Sequence, residues 1–91
     1  MRFEWDDEKA ESNLLKHGVR FTDAVKAFDD PNALELLDEL NSDTEVRFQI
    51  IGLTDRTLLF VVFTEREDVT RLISARKANA RQTGIYNERK G

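Results

Sequence analysis

The chain has 91 residues, 40% hydrophobic and 35% charged, which is enough apolar surface for one packed domain and too much for a disordered chain. It has no cysteine and a single histidine, which excludes a disulfide framework, a thiolate metal site and a His-rich zinc site. A net charge of −4 argues at first against nucleic acid, yet residues 1–45 hold 5 basic and 13 acidic side chains (−8) while residues 46–91 hold 9 basic and 5 acidic (+4).

The chain begins Met1-Arg2-Phe3-Glu4-Trp5-Asp6-Asp7, with acid where a secretory signal carries an apolar run, and no stretch approaches the roughly 18 apolar residues of a membrane span. A cytoplasmic protein without membrane contact is expected. Phe3-Glu4-Trp5 alternates and predicts a short edge strand. Asp6 or Asp7 can cap a helix whose first turn carries Glu8 and which runs to Lys16-His17, with Ala10, Leu14 and Leu15 as its apolar stripe and Gly18 as its stop. A second helix of about two turns starts at Thr22 as cap, turns Ala24, Val25, Ala27 and Phe28 inward, and is broken by Asp29-Asp30-Pro31.

From Ala33 the period changes. Ala33 to Leu37 is a weak strand, and Val46, Phe48 and Ile50 alternate with Arg47 and Gln49 as in a half-buried strand. Thr54-Asp55-Arg56-Thr57 is a turn, and Leu58 to Phe63 is apolar on both parities, which suits a central strand covered on both sides. Thr64 to Asp68 reads as a polar connection, Val69 to Ala75 as a third strand, and Arg76 to Lys90 as a helix weakened by about 1 kcal/mol at Gly84, where fraying is expected. The class is α+β: two N-terminal helices, a three- to four-stranded antiparallel sheet and a C-terminal helix, in a single domain over residues 1–91.

Several side chains stand out chemically. Lys16-His17-Gly18 complements the negative end of a helix dipole, and also offers a cation for phosphate and a proton carrier near neutral pH; both readings stay open. Glu45, Arg47 and Gln49 are two apart and share a strand face, as a surface ion pair or as a base beside an electrostatic clamp. Arg71, Ser74, Arg76 and Lys77 crowd the end of an apolar strand, where arginine is costly unless its head reaches water or an anion. Seven of the nine cations in the second half are arginines, suited to bidentate phosphate binding. Ser74 and His17 suggest no hydrolase triad, because no G-x-S-x-G elbow surrounds Ser74. No phosphate-cradling glycine loop is present. Trp5 and Tyr86 read as core-edge residues more readily than as base-stacking platforms.

Phe3-Glu4-Trp5-Asp6, Lys9, Asn13, Lys16-His17-Gly18, Phe21, Ala24 and Phe28-Asp29-Asp30-Pro31 resemble the amino-terminal signature of BrnT-type toxins. Glu45-Val46-Arg47, Gly52, Val61-Val62, Thr64-Glu65-Arg66, Arg71-Leu72-Ile73-Ser74-Ala75-Arg76-Lys77-Ala78 and Tyr86 resemble the rest, in the same order. The resemblance implies a RelE-like endoribonuclease fold and translation arrest by RNA cleavage with neither metal nor cofactor. It also implies neutralisation by a BrnA-like antitoxin, operator DNA contacts made only through that antitoxin, and room for a dimer in the toxin–antitoxin complex. Carried over residue by residue, the active-site candidates are Lys16, Glu45, Arg47, Arg66 and Arg76, with His17, Arg71 and Ser74 as second choices. The tail Gln82-Thr83-Gly84-Ile85 departs from the arginine- and glutamate-rich tail helix of the family. The competing classes are a non-catalytic RNA- or protein-binding module, and a metal-dependent nuclease using the acid-rich first half.

Overall fold

The computed structural model describes residues 1–39 and 45–90. Strand β1 (Arg2–Glu4) leads into helix α1 (Asp7–His17), then the single-turn helix α2 (Phe21–Ala24), which tightens into a 3₁₀ turn at Val25–Asp29. Strands β2 (Leu34–Leu37), β3 (Phe48–Leu53), β4 (Leu58–Arg66) and β5 (Val69–Lys77) follow, and helix α3 (Ala80–Lys90) ends the description. Among the described residues no helix is long and apolar enough to cross a membrane.

Helix α1 starts and stops as its sequence dictates. The Asp6 carboxylate accepts the Glu8 N–H at 2.8 Å, and Gly18, at φ 68°, donates its N–H to Leu14 O at 2.9 Å. Helix α2 begins one residue before the expected Thr22 cap. Its N-cap is Arg20, without a side-chain cap, because burial of Phe21 (2% exposed) rather than capping fixes its start. The following turn lies close on the sheet: a Cβ at Gly52 would stand 2.4 Å from Ala27 O, so only glycine fits in β3 there.

The sheet has five strands in the order β1-β5-β4-β3-β2 and is mixed, not the three- to four-stranded antiparallel sheet expected. β1 pairs with β5 in parallel, Phe3 opposite Thr70 and Glu4 opposite Arg71, while the other pairs are antiparallel. Three residues carry too little pattern to name a partner. The pairing is set instead by Phe3, which packs edge-to-face on Phe28 at 5.1 Å. The expected polar connection is also shorter than read. Thr64 to Arg66 continue β4, and the hairpin turns on Glu67 and Asp68 at φ 46° and 70°, the handedness a two-residue hairpin turn needs. β5 runs on to Lys77, two residues past the expected Ala75, and α3 is continuous through Gly84.

One sheet face is covered by α1, α2 and the 3₁₀ turn. The main core lies there, with Leu59, Val61 and Phe63 of β4, Leu72 and Ala75 of β5, Ile50 of β3, and Phe21, Ala24 and Ala27 from the helices. On the other face α3 lays Tyr86 over Ile51 and Phe60 in a smaller cluster. β4 is therefore covered on both sides near Phe60 and again at Thr64, 2% exposed beneath the segment at Val46, while Val62 between them is half-buried.

A β-bulge decides which side chains reach that second face. Val62 lies opposite Ser74 but Phe63 lies opposite Leu72, so Ile73 is the extra residue. Leu72 and Ala75, three apart, both enter the main core, and so Arg71, Ser74 and Arg76 all belong to the opposite face. An unbulged strand would put Arg71 on the other side from Ser74 and Arg76.

Candidate functional site

The second face is polar where α3 does not reach. Among the described residues, β5 supplies Arg71, Ser74 and Arg76, β4 supplies Val62 and Thr64, and β3 supplies Gln49 opposite Val62. Glu4 joins from β1, opposite Arg71.

At the β4–β5 hairpin end, Arg66 Nη2 bonds Glu45 Oε2 at 2.8 Å and Arg71 Nη1 bonds Glu4 Oε2 at 2.7 Å. The Arg66 hydrogen bond, aided by the charges of Arg66, Arg47 and Arg71, holds the Glu45 carboxyl below the usual range. Arg66 acts on this carboxylate by contact, and Arg47 and Arg71 through their charge alone. The segment carrying Glu45 and Arg47 is fixed on both flanks: Thr64 Oγ1 donates to Val46 O at 2.7 Å, and Asp38 N–H donates to Arg47 O at 2.8 Å. These are long-range ties, and so invisible to local pattern.

Arg76 lies toward the other end of the same face. Four residues of β4 separate its partner Phe60 from Thr64, the partner of Arg71, which is roughly 13 Å along the strand. Its guanidinium sits 4.5 Å over the Phe60 ring and donates through Nη1 to Gln82 Oε1 at 3.1 Å and Lys77 O at 3.2 Å. Ser74 is half-buried midway between the two ends.

Glu45, Arg47, Arg66 and Arg71 are brought together, with Ser74 and Arg76 along the same face. Lys16 and His17 are not. They are exposed in the last turn of α1, on the helical layer, where they complement the dipole. His17 and Ser74 belong to opposite layers and form no pair. Trp5 packs edge-to-face on Phe21 at 5.9 Å, and Tyr86 is 3% exposed with its hydroxyl on Asp30 Oδ2 at 2.6 Å, so both are core-edge residues.

Four residues that the sequence reading named without giving their side chains a partner are Glu4, Asn13, Asp30 and Gln82. Gln82 had a local signal. Asn79-x-x-Gln82 has capping-box spacing, and the box is formed, with Gln82 N–H on Asn79 Oδ1 at 2.8 Å and Asn79 N–H on Gln82 Oε1 at 3.0 Å. The others depend on contacts between distant segments. A cleft of about 350 Å³ also opens beside the β3–β4 turn, but it holds the Lys26–Asp55 ion pair at 3.0 Å and is lined by none of Arg47, Arg66, Arg71 and Arg76. The cleft thus lies apart from the face that carries Glu45 and these arginines.

Comparison with curated proteins returns no match. One family profile, described as the ribonuclease toxin BrnT of type II toxin–antitoxin systems, matches residues 5–82. That span runs from Trp5 through strands β2 to β5 to the start of α3, leaving out only β1 of the sheet and taking in Glu45, the open-face arginines and Gln82, and so the chain belongs to the BrnT family of type II ribonuclease toxins.

Proposed function

We propose that the open sheet face is the ribonuclease site and that it cuts RNA by attack of the 2′-hydroxyl on the adjacent phosphodiester. The observation that carries this is Glu45, hydrogen-bonded to Arg66 and within the field of Arg47 and Arg71, on a face that continues past Ser74 to Arg76. Arg47, Arg66 and Arg71 grip backbone phosphates, and Arg76 holds the negative charge that accumulates on the phosphoryl oxygens. Glu45 accepts the 2′-hydroxyl proton as the 2′-oxygen bonds to phosphorus; the phosphorus–5′-oxygen bond breaks, and water protonates the departing oxygen. The products are a 2′,3′-cyclic phosphate and a 5′-hydroxyl.

Glu45 is a weak base while Arg66 holds it. A phosphate competing for Arg66 frees the carboxylate, and its proton affinity then rises toward that of an ordinary glutamate. Substrate thus arms the base. Lys16 and His17, on the other layer, take no part. A BrnA-like antitoxin neutralises the toxin by covering this face, contacts operator DNA itself, and holds the toxin in a dimeric complex.

The test is cleavage of an RNA carrying a single 2′-deoxy nucleotide at the mapped cut site, with and without chelator. Cutting should cease at that position and should persist with chelator on the natural substrate. Arg76→Ala should lower kcat by about 10²-fold with its thermal midpoint unchanged. Cutting of the deoxy substrate would end this mechanism. The lowered proton affinity of Glu45 favours one second reading, RNA binding without cutting; it predicts salt-sensitive binding and intact RNA.

A further inference from the structure

Arg66 and Arg71 are each paired with a carboxylate, whereas Arg76 is oriented by the Gln82 carbonyl oxygen, the Lys77 carbonyl and the Phe60 ring. Hydrogen bonds to neutral acceptors fix a guanidinium in direction without cancelling its charge. The same Gln82 Oε1 accepts the Asn79 N–H, and the Gln82 N–H is in turn bound by Asn79. One amide oxygen therefore ties the first turn of α3 to the head of Arg76, with the aromatic ring beneath limiting how the head can tilt.

We infer that Gln82 is a positioning residue for RNA cleavage, orienting the Arg76 guanidinium toward the scissile phosphate by accepting its Nη1–H from the capping box of α3. This rests on the assignment of Arg76 to phosphoryl charge. Arginine has four rotatable side-chain bonds, and a head that wanders must be reordered in each turnover. Holding it before the reaction removes that cost at the step where charge develops. Gln82 itself need not touch RNA.

Two roles of Gln82 are separable because Asn79 shares only one of them. Asn79→Ala removes the Oδ1 acceptor of the Gln82 N–H and leaves the Gln82–Arg76 bond available; Gln82→Ala removes the acceptor of both the Asn79 N–H and Arg76; Gln82→Glu keeps an acceptor for both donors. The experiment is steady-state cleavage of a short RNA by the full chain, with thermal midpoints measured in parallel, including Arg76→Ala and the double variant Arg76→Ala/Gln82→Ala. The expected result is a kcat about tenfold lower for Gln82→Ala at nearly unchanged KM, within about twofold of the parent for Asn79→Ala, and also lowered for Gln82→Glu, whose carboxylate keeps the direction of the Arg76 head but neutralises its charge. In the Arg76→Ala background, removing Gln82 should change kcat no further, which a merely structural role would not produce. If Gln82→Ala and Asn79→Ala lower kcat equally, or if the Gln82 loss persists undiminished without Arg76, the inference is overturned. An Arg76→Ala enzyme that cuts like the parent would instead overturn the site assignment on which it rests.

Discussion

Asn13 shows how much one side chain can hold. It is 6% exposed in α1, and its amide donates to Ala75 O at 2.7 Å and Val19 O at 3.0 Å while accepting the Ala75 N–H at 3.0 Å. β1 ends opposite Arg71, so beyond that point β5 has a free edge, and Asn13 supplies Ala75 with the donor and acceptor that a neighbouring strand would have supplied. Asn13→Ala leaves three buried backbone groups unpaired at about 1–3 kcal/mol each before relaxation, and we expect a net loss of roughly 3 kcal/mol. Denaturant unfolding followed by Trp5 fluorescence measures it; a loss below about 1 kcal/mol would show that water or a shifted edge replaces the amide. The sequence contained Asn13 within an apolar helical stripe but not its partner 62 residues away. It likewise contained Arg71 and Arg76 as anomalies in an apolar strand, which was correct, because the cost of burying a guanidinium is a local property. That Glu4 and Gln82 answer those arginines is not.

At the scale of elements, the alternation of Phe48, Gln49 and Ile50 in β3, the apolar run of β4 and both ends of α1 were legible because each follows from period or cap chemistry within a few residues, but Val46 is 52% exposed and Glu45 to Arg47 precede β3 instead of sharing a strand face with Gln49. The bulge at Ile73 was not. Nothing local distinguishes the extra residue, yet it turns Arg71 to the same face as Ser74 and Arg76, where strict alternation would put it on the other. The seating of α3 was equally hidden. This helix buries Tyr86, whose hydroxyl donates to Asp30, and the Asp30 carboxylate also accepts the Leu53 N–H at 2.8 Å and the Asn32 N–H at 2.9 Å. One carboxylate thus joins the end of the 3₁₀ turn, the end of β3 and the tail helix. The hydrogen bond to Asp30, with burial second, pushes the Tyr86 pKa up to about 12 from an ordinary 10. A raised folded-state value means that the stabilisation is complete below pH 10 and is lost as pH rises through about 12. Tyr86 is the only tyrosine in the chain, so ultraviolet titration of phenolate reads it directly. The midpoint should lie near 12 in the parent and fall toward 10 in Asp30→Asn. A parent midpoint near the ordinary value would mean that α3 is not anchored through this bond.

Over the whole molecule, the uneven charge of the sequence becomes a difference between layers. The helical layer and both edge strands lie within residues 1–39, in the half of the sequence that carries −8, while the three inner strands and α3 lie within residues 46–90, in the half that carries +4. Glu4 and Glu45 cross from the acidic half to the open face, and each is tied to an arginine there. The net charge of −4 therefore misdescribes the face that carries Arg66, Arg71 and Arg76. A toxin of a type II pair must be silenced by a protein, and a segment with acidic side chains laid over Arg47, Arg66 and Arg76 would neutralise the phosphate grip and exclude RNA in one act. The acidic side chains of the helical layer on the far side would repel such a segment and favour its approach to the arginines. The check is a double charge reversal, Arg47→Glu with Arg66→Glu, assayed for association with the co-encoded antitoxin over a range of salt. Association should slow most at low salt, where screening is weakest, and the difference from the parent should shrink as salt is raised. Equal association of parent and variant at every salt concentration would place the antitoxin elsewhere, and inhibition would then have to act through the position of α3 or β5 instead of by covering the arginines.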